Sequence, residues 1–274
     1  MKTRRGIYIE TTKNDFSGGA EPCWIPIANC PDDNLIPKIQ YLTYHEIFLY
    51  KYDKIKFFGC TCEDGCYSEK CECKQSTLER GGFVECCSQC GCEENCQNRE
   101  FTKNEFFPHI EIKYEKEKCY NGFGVFAKET IPAGRYIGAY YGAVTVKPPE
   151  TDLDGTHSDY GFLVYDHFAK LLIDSKYRGN FTRFINHSCD SNLTSILAYI
   201  GTEIRIPTPV FITNRIIESG EQLTIDYGDH YFENLEISCK CGYNSCRFKE
   251  DVQDSPSEKN IYFARKSCRN SLIL

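Results

Sequence analysis

The chain of 274 residues is 41% hydrophobic and 14% aromatic, enough apolar material for one large or two small domains. Its formal charge of −7 disfavours nonspecific nucleic-acid binding and favours a basic partner. No stretch approaches the ~18 apolar residues of a membrane span, and the basic segment Met1–Glu10 lacks the apolar run of a signal peptide, so neither membrane insertion nor secretion is expected.

Residues 1–58 mix short aromatic and β-branched runs with Pro22, Pro26, Pro31 and Pro37, a pattern that predicts extended segments and turns. Residues 59–100 hold too few large apolar side chains to fold without metal. Nine of their cysteines run Cys60-x-Cys62-x3-Cys66-x4-Cys71-x-Cys73 and, twelve residues later, Cys86-x3-Cys90-x-Cys92-x3-Cys96. Crowded thiolates repel unless a cation neutralises them, and tetrahedral Zn²⁺ does so. Three zincs need about twelve sulfur contacts, which nine cysteines supply when six bind terminally and three bridge. The count closes only if Cys87, beside Cys86, is not a ligand.

A secreted disulfide scaffold is the alternative for a chain with 18 cysteines. Four Cys-x-Cys pairs (60/62, 71/73, 90/92, 239/241) suit chelation better than separate bridges. The glycosylation-type triplets at Asn180, Asn186 and Asn192 fall where the chemistry is expected below, and are read as chance.

From about residue 105 the pattern becomes strand-like. His109–Glu115 alternates as a strand with one wet face, and short runs follow at Tyr136–Tyr141, Tyr160–Tyr165, Leu171–Ile173, Glu203–Ile206 and Pro209–Thr213. No amphipathic helix of four turns stands out. Gly122-Phe123-Gly124-Val125-Phe126-Ala127 has the letters of a dinucleotide fingerprint, but Pro132 and Gly134 leave room for one helical turn at most. The glycines still allow backbone to approach a ligand closely, with Phe123 able to cover a flat ring.

Two further segments carry the argument: Arg183-Phe184-Ile185-Asn186-His187-Ser188-Cys189-Asp190-Ser191-Asn192 and Glu221-Gln222-Leu223-Thr224-Ile225-Asp226-Tyr227-Gly228. With the nine-cysteine cluster before them and Cys239-x-Cys241-x4-Cys246 after, the chain resembles the pre-SET/SET/post-SET lysine methyltransferases. The likeness is to the group known for lysine 9 of histone H3, including SETMAR-type enzymes. It covers nearly the whole chain, down to an opening Asp15–Glu21 and Ile25-Pro26-Ile27 like the start of a pre-SET region.

The resemblance implies a mainly β fold: a SET domain of short strands with a pseudoknot, preceded by a Zn3Cys9 pre-SET cluster and followed by a zinc-binding post-SET segment. It divides the chain into 1–58 (start of the pre-SET region), 59–100 (zinc cluster), 101–229 (SET domain), 230–250 (post-SET) and 251–274 (polar tail). It assigns the contacts to S-adenosylmethionine to Gly122, Phe123, Gly124, Arg183, Asn186, His187 and Tyr227. Cys189, Cys239, Cys241 and Cys246 match the ligands of a fourth zinc, which pins the tail over the active site. With thirteen zinc-bound thiolates on four dications the net charge moves from −7 to about −12.

Tyr227 matches the catalytic tyrosine and Tyr160 aligns with a second, Tyr165 being its nearest competitor as a wall of the substrate channel. Ile225, two residues before Tyr227, brings neither ring nor hydroxyl to that channel, which implies a di- or trimethyl product. Departures from the family pattern are Phe123 for Trp, Ala143 for Glu and Ser191 for Pro; none removes a residue the chemistry needs.

The expectation is therefore an S-adenosylmethionine-dependent lysine N-methyltransferase for a histone tail, histone H3 and its lysine 9 favoured. It would work on chromatin in the nucleus, without sequence-specific DNA binding. The alternatives are a methyltransferase for a non-histone substrate, an inactive SET module that binds chromatin proteins, and a cysteine-rich DNA-binding protein, the last disfavoured by the acidic balance. Cys23, Cys30, Cys87, Cys119 and Cys268 are read as packing residues.

Overall fold

Fourteen strands in four small sheets carry the fold of the residues described by the computed structural model, and no helix among them exceeds nine residues. Those residues are 11–48, 59–63, 65–67, 70–93, 95–103, 107, 109–117, 119, 122–146, 158–166, 169–200, 206–233 and 239–248. None of the helices among them is long and apolar enough to cross a membrane. The basic cluster Lys2–Arg5, the polar tail from Asp251 and Cys268 lie outside them.

The first sheet sets Ile110–Tyr114 between Ile27–Ala28, in parallel, and Phe123–Ala127, antiparallel. Its middle strand keeps the alternation read from the sequence: Ile110 and Ile112 are fully buried, while Glu111 and Lys113 point outward and pair at 3.1 Å. The second sheet is built on Ala169–Gly179, which pairs antiparallel with Gly142–Val146 and Gly161–Asp166 and in parallel with Gln40–Tyr41. Glu46–Ile47 adds to Gly142–Val146 in parallel. Residues 27–47 thus lend strands to two sheets, so this part of the N-terminal segment is woven into the domain that follows.

The third sheet runs Phe83–Val84, Leu193–Tyr199, Pro207–Thr213, Tyr136–Ala139, with Pro207–Thr213 in a central and almost wholly buried position. The fourth is a parallel pair, Asn186–His187 beside Thr224–Ile225. It brings together the two motifs that the sequence separates by some forty residues, in the strand pairing expected of them.

Three elements differ from the sequence reading. The run Leu171–Ile173 is part of an eleven-residue strand, because Asp174 and Lys176 alternate outward with buried Ile173 and Ser175. Leu193–Tyr199 is an additional strand. The spacer between Cys73 and Cys86 is largely helix, Glu72–Arg80, made of good helix formers and ended by Gly81 in the left-handed conformation at φ 64°. Of the run Glu203–Ile206, residues 203–205 lie outside the described residues. Phe123–Ala127 is itself a strand and no helix follows it, so the dinucleotide fingerprint is excluded.

One apolar core joins the parts. Cys60, Cys66, Cys86 and Cys96 pack in the same buried cluster as Phe16, Ile25, Val84, Ile110, Ile112 and Val125. Each large side chain removed from water there, Tyr140, Phe181 and Phe211 among them, contributes about 1.5–3 kcal/mol.

Candidate active site and metal centres

The nine cysteines of residues 60–96 converge. Their sulfurs stand 3.6 Å apart for Cys60–Cys66, Cys66–Cys86 and Cys73–Cys90, and 3.8 Å for Cys60–Cys86. Two sulfurs ~2.3 Å from a shared tetrahedral Zn²⁺ are about 3.8 Å apart, whereas a disulfide brings them to ~2.05 Å. Three quartets each lie within 4.8 Å: Cys60, Cys62, Cys66, Cys71; Cys60, Cys66, Cys86, Cys92; and Cys60, Cys71, Cys73, Cys86. Cys60 falls in all three quartets and Cys66, Cys71 and Cys86 in two each, so the quartets share sulfurs. Cys90 joins through Cys73 and Cys96 through Cys66. Cys87 belongs to no quartet; its sulfur accepts the Gln89 N–H at 3.4 Å and its carbonyl accepts from Arg99 at 2.9 Å.

A fourth quartet joins Cys189 to Cys239, Cys241 and Cys246, with sulfur separations of 3.9 Å to Cys239 and 3.8 Å to Cys246. None of the cysteines among the described residues forms a disulfide. The donor sets fit three Zn²⁺ at residues 60–96 and one at Cys189, Cys239, Cys241 and Cys246. Their settings differ: most ligands of the first cluster are buried, while all four of the second are partly exposed.

Cys189 leads from the metal to the chemistry. His187, two residues earlier, has its imidazole fully buried. Nδ1 accepts the Tyr227 backbone N–H at 3.0 Å, so the proton of the neutral ring sits on Nε2, 3.3 Å from the Cys189 sulfur. Burial holds this imidazole down at about pKa 4, the Asp226 carboxylate pulling upward and Arg247 downward. Both ring nitrogens are engaged within the protein, so the His187 side chain is a strut, and what this residue offers a ligand comes from its main chain.

Tyr227 is 6% exposed. Its hydroxyl donates to the Ile185 carbonyl at 2.7 Å. Ile225 is 2% exposed and paired with His187 in the parallel sheet. Asn192 binds the two motifs together: Nδ2 donates to Gln222 O at 2.8 Å and to Glu221 Oε1 at 3.0 Å, and Oδ1 accepts Thr224 N–H at 2.9 Å.

Asn186 ties in the glycine-rich strand, its Nδ2 donating to the Phe123 carbonyl at 2.9 Å. Gly122 has φ +80°, and a Cβ at Gly124 would stand 2.4 Å from Gln222 Nε2, 2.9 Å from Cys119 Sγ and 3.1 Å from Asn186 Nδ2. Only glycine lets this strand close on Asn186. The Phe123 ring is turned inward, packed against Tyr114 at 5.1 Å and Phe184 at 5.6 Å. Its ring is therefore core, and its carbonyl is the part that faces the motif.

Tyr160 is held from two sides. Its carbonyl accepts the Tyr140 hydroxyl at 2.6 Å, and the Arg183 guanidinium lies 3.8 Å from its ring centroid. Arg183 is 6% exposed; Nε donates to Ser175 O at 2.9 Å and Nη2 to Lys176 O at 3.2 Å. Nη1 is buried with no hydrogen-bond partner among the described residues. Tyr165 is 49% exposed beneath Lys170, a surface ring rather than a closed wall, and of the two tyrosines Tyr160 is the one gathered with Arg183.

Four rings complete the site without a sequence motif. Tyr231 stands 4.6 Å from Tyr227, and Phe232 stands 4.6 Å from His187. Phe248 stacks on Phe232 at 4.3 Å, and Tyr140 backs Tyr160. Burial pushes the Tyr231 phenol up, as do Asp159 and Tyr160 nearby, so it stays protonated. For Tyr231, Phe232 and Phe248 the sequence signal is aromatic density just after Tyr227 and Cys246, and Tyr140 lies in the strand-like run Tyr136–Tyr141.

The profile of the SET domain matches residues 122–228, the stretch from Gly122 to Gly228 that carries this geometry. The probable histone-lysine N-methyltransferase set-23 of Caenorhabditis elegans is 30% identical over 231 residues, which cover 74% of this chain and 91% of that protein. The chain belongs to the SET-domain histone-lysine N-methyltransferase family. Mouse histone-lysine N-methyltransferase EHMT1 is 28% identical over 262 residues, 87% of this chain but 20% of EHMT1, so the chain spans about a fifth of that relative. Among solved structures, KRYPTONITE in complex with mCHH DNA, an H3(1–15) peptide and SAH aligns with a TM-score of 0.67 at 26% identity, covering 90% of this chain and 55% of that one. The SET frame explains why its two motifs meet as a parallel pair beside the glycine-rich strand.

Proposed function

We propose that this SET protein is an S-adenosylmethionine-dependent lysine N-methyltransferase acting on the tail of histone H3, lysine 9 favoured, with a di- or trimethyl product. The observation that carries the reading is the Tyr227 phenol, buried and bonded to Ile185, two residues beyond a strand whose partner reaches the glycine-rich strand through Asn186. The SAH and H3 peptide held by KRYPTONITE support the ligand classes.

The residues fit the cofactor. The unpartnered, buried Arg183 Nη1 suits its carboxylate, and the Gly122–Gly124 backbone with Asn186 and the His187 main chain offers polar groups for the rest. When bound, the cofactor supplies a methyl group already activated by its positive sulfur.

The protein has to deliver a neutral amine in line with that methyl. A lysine drawn in among Tyr227, Tyr231, Tyr160 and Ile225 leaves water, which lowers its pKa and releases the proton. The Tyr227 oxygen, its own proton committed to Ile185, accepts from the amine and orients it. Tyr160, braced by Tyr140 and Arg183, closes another side. Ile225 adds no hydroxyl that could anchor a water in place of a further methyl.

Tyr227 and its supports are those of a working site, which disfavours an inactive binding module. The histone tail would lie as an added strand beside the post-SET segment, and the place of work would be nuclear chromatin. Methyl transfer to a peptide of H3 residues 1–15, compared with the same peptide carrying arginine in place of its lysine 9, tests the assignment. Loss of transfer with the substituted peptide supports lysine 9; equal transfer places the target elsewhere.

A further inference from the structure

Arg247, one residue beyond the last zinc ligand Cys246, reaches back to the catalytic strand. Its Nη2 donates to Asp226 Oδ1 at 2.7 Å and its Nη1 to Asp229 Oδ1 at 3.1 Å. The two carboxylates flank Tyr227 and Gly228. Asp226 Oδ1 also accepts the Gly228 N–H at 2.9 Å, closing a turn around Tyr227. The next residue, Phe248, lies on Phe232 at 4.3 Å and meets the His187 ring at 5.8 Å.

We infer that Arg247 is a positioning residue for Tyr227: its forked grip on Asp226 and Asp229 carries the docking of the post-SET segment to the backbone that presents the catalytic phenol.

Two features point beyond a routine surface ion pair. The guanidinium is shared between two carboxylates on either side of one functional residue, a geometry a planar fork can satisfy and an ammonium cannot. The same Asp226 oxygen is used by both Arg247 and the Gly228 amide, so losing the arginine frees a carboxylate that shapes the turn. Zinc fixes Cys189 and, through His187, the Tyr227 amide; the fork fixes the other flank. Tyr227 is thereby held from both sides by one short segment. Because the arginine and both carboxylates are about half exposed, salt weakens this hold while leaving the buried one intact.

The inference rests on the methyltransferase reading for its kinetic consequence but not for its structural one. Zinc-loaded wild type, Arg247→Gln, Arg247→Lys and Asp229→Asn are compared in three readouts: zinc per chain, hydrogen–deuterium exchange of the peptide covering Thr224–Gly228, and kcat and KM on histone H3. The expected result is unchanged zinc, faster exchange at Tyr227 and Gly228, and kcat about tenfold lower at similar KM in Arg247→Gln. Arg247→Lys and Asp229→Asn fall between it and wild type.

Unchanged exchange in Arg247→Gln overturns the inference, as does loss of a zinc, which would make the arginine part of the metal segment's own scaffold. A wild-type chain that transfers no methyl defeats the functional reading, and the exchange data then still decide the role of the fork.

Discussion

The Tyr227 hydroxyl donates to the Ile185 carbonyl across 2.7 Å, joining the two SET motifs. This one bond decides the polarity of the site. In the proposed transfer, a Tyr227 whose proton is directed at Ile185 would act as an acceptor that orients an amine, not as an acid.

Gly124→Ala is predicted to cost cofactor affinity as well as stability. The added methyl would stand 2.4 Å from Gln222 Nε2, 2.9 Å from Cys119 Sγ and 3.1 Å from Asn186 Nδ2, so Gln222 gives way and Asn186 shifts on its bond to the Phe123 carbonyl. Overpacking of this kind costs about 1–3 kcal/mol. Calorimetric titration with SAH should show binding weakened by tenfold or more while the unfolding transition stays cooperative.

Ile225→Tyr is predicted to shift the product toward monomethyl-lysine. The position is 2% exposed and pairs with His187, so a ring there narrows the space before Tyr227 and its hydroxyl can hold a water. Product masses over a long incubation check this. A wild-type reaction that stops after one methyl contradicts the role given to Ile225.

The metal centres should separate on chelation. Four zincs per chain are expected by elemental analysis, from the nine-cysteine cluster and the Cys189 set. The ligands of the latter are all partly exposed, so a brief chelator pulse removes one zinc and halts transfer before the first cluster opens. Early loss of several zincs would contradict this order.

His45 gives the fold an acid limit. Desolvation holds its imidazole at about 4, with the Gly142 carbonyl pulling the other way, against an ordinary 6.5. The unfolded chain takes up the proton first, so the contribution is complete above pH 6.5 and is lost as pH falls toward 4. It amounts to at most about 3 kcal/mol, and less because the ring is only partly buried by surface area. Urea denaturation of His45→Gln between pH 7 and 4 should show a flatter stability profile than wild type.

How far the sequence could be read follows from where each interaction keeps its information. The zinc cluster was legible because ligand type and spacing are side-chain facts, and Cys87 could be set aside by counting. Asn186, His187 and Tyr227 were legible as motif letters. Their working partners were less so: Ile185 and Phe123 act through carbonyls, which leave no trace in residue identity. The engagement of the His187 ring with Tyr227 and Cys189 is likewise absent from the motif letters. The strand Leu193–Tyr199 was hidden because Thr194 and Ser195 break its apolar run. The fork of Arg247 joins residues 18 and 21 positions apart, beyond the reach of local periodicity.

The central claim, that Tyr227 orients a lysine amine for methyl transfer, is tested most directly by intact-mass spectrometry. Recombinant histone H3 is incubated with S-adenosylmethionine and the zinc-loaded protein, wild type beside Tyr227→Phe. The account predicts additions of two and three methyl masses with wild type, and a rate lower by about 10²–10³ in the variant, which loses the oxygen while keeping the ring. Equal rates for the two proteins would contradict it.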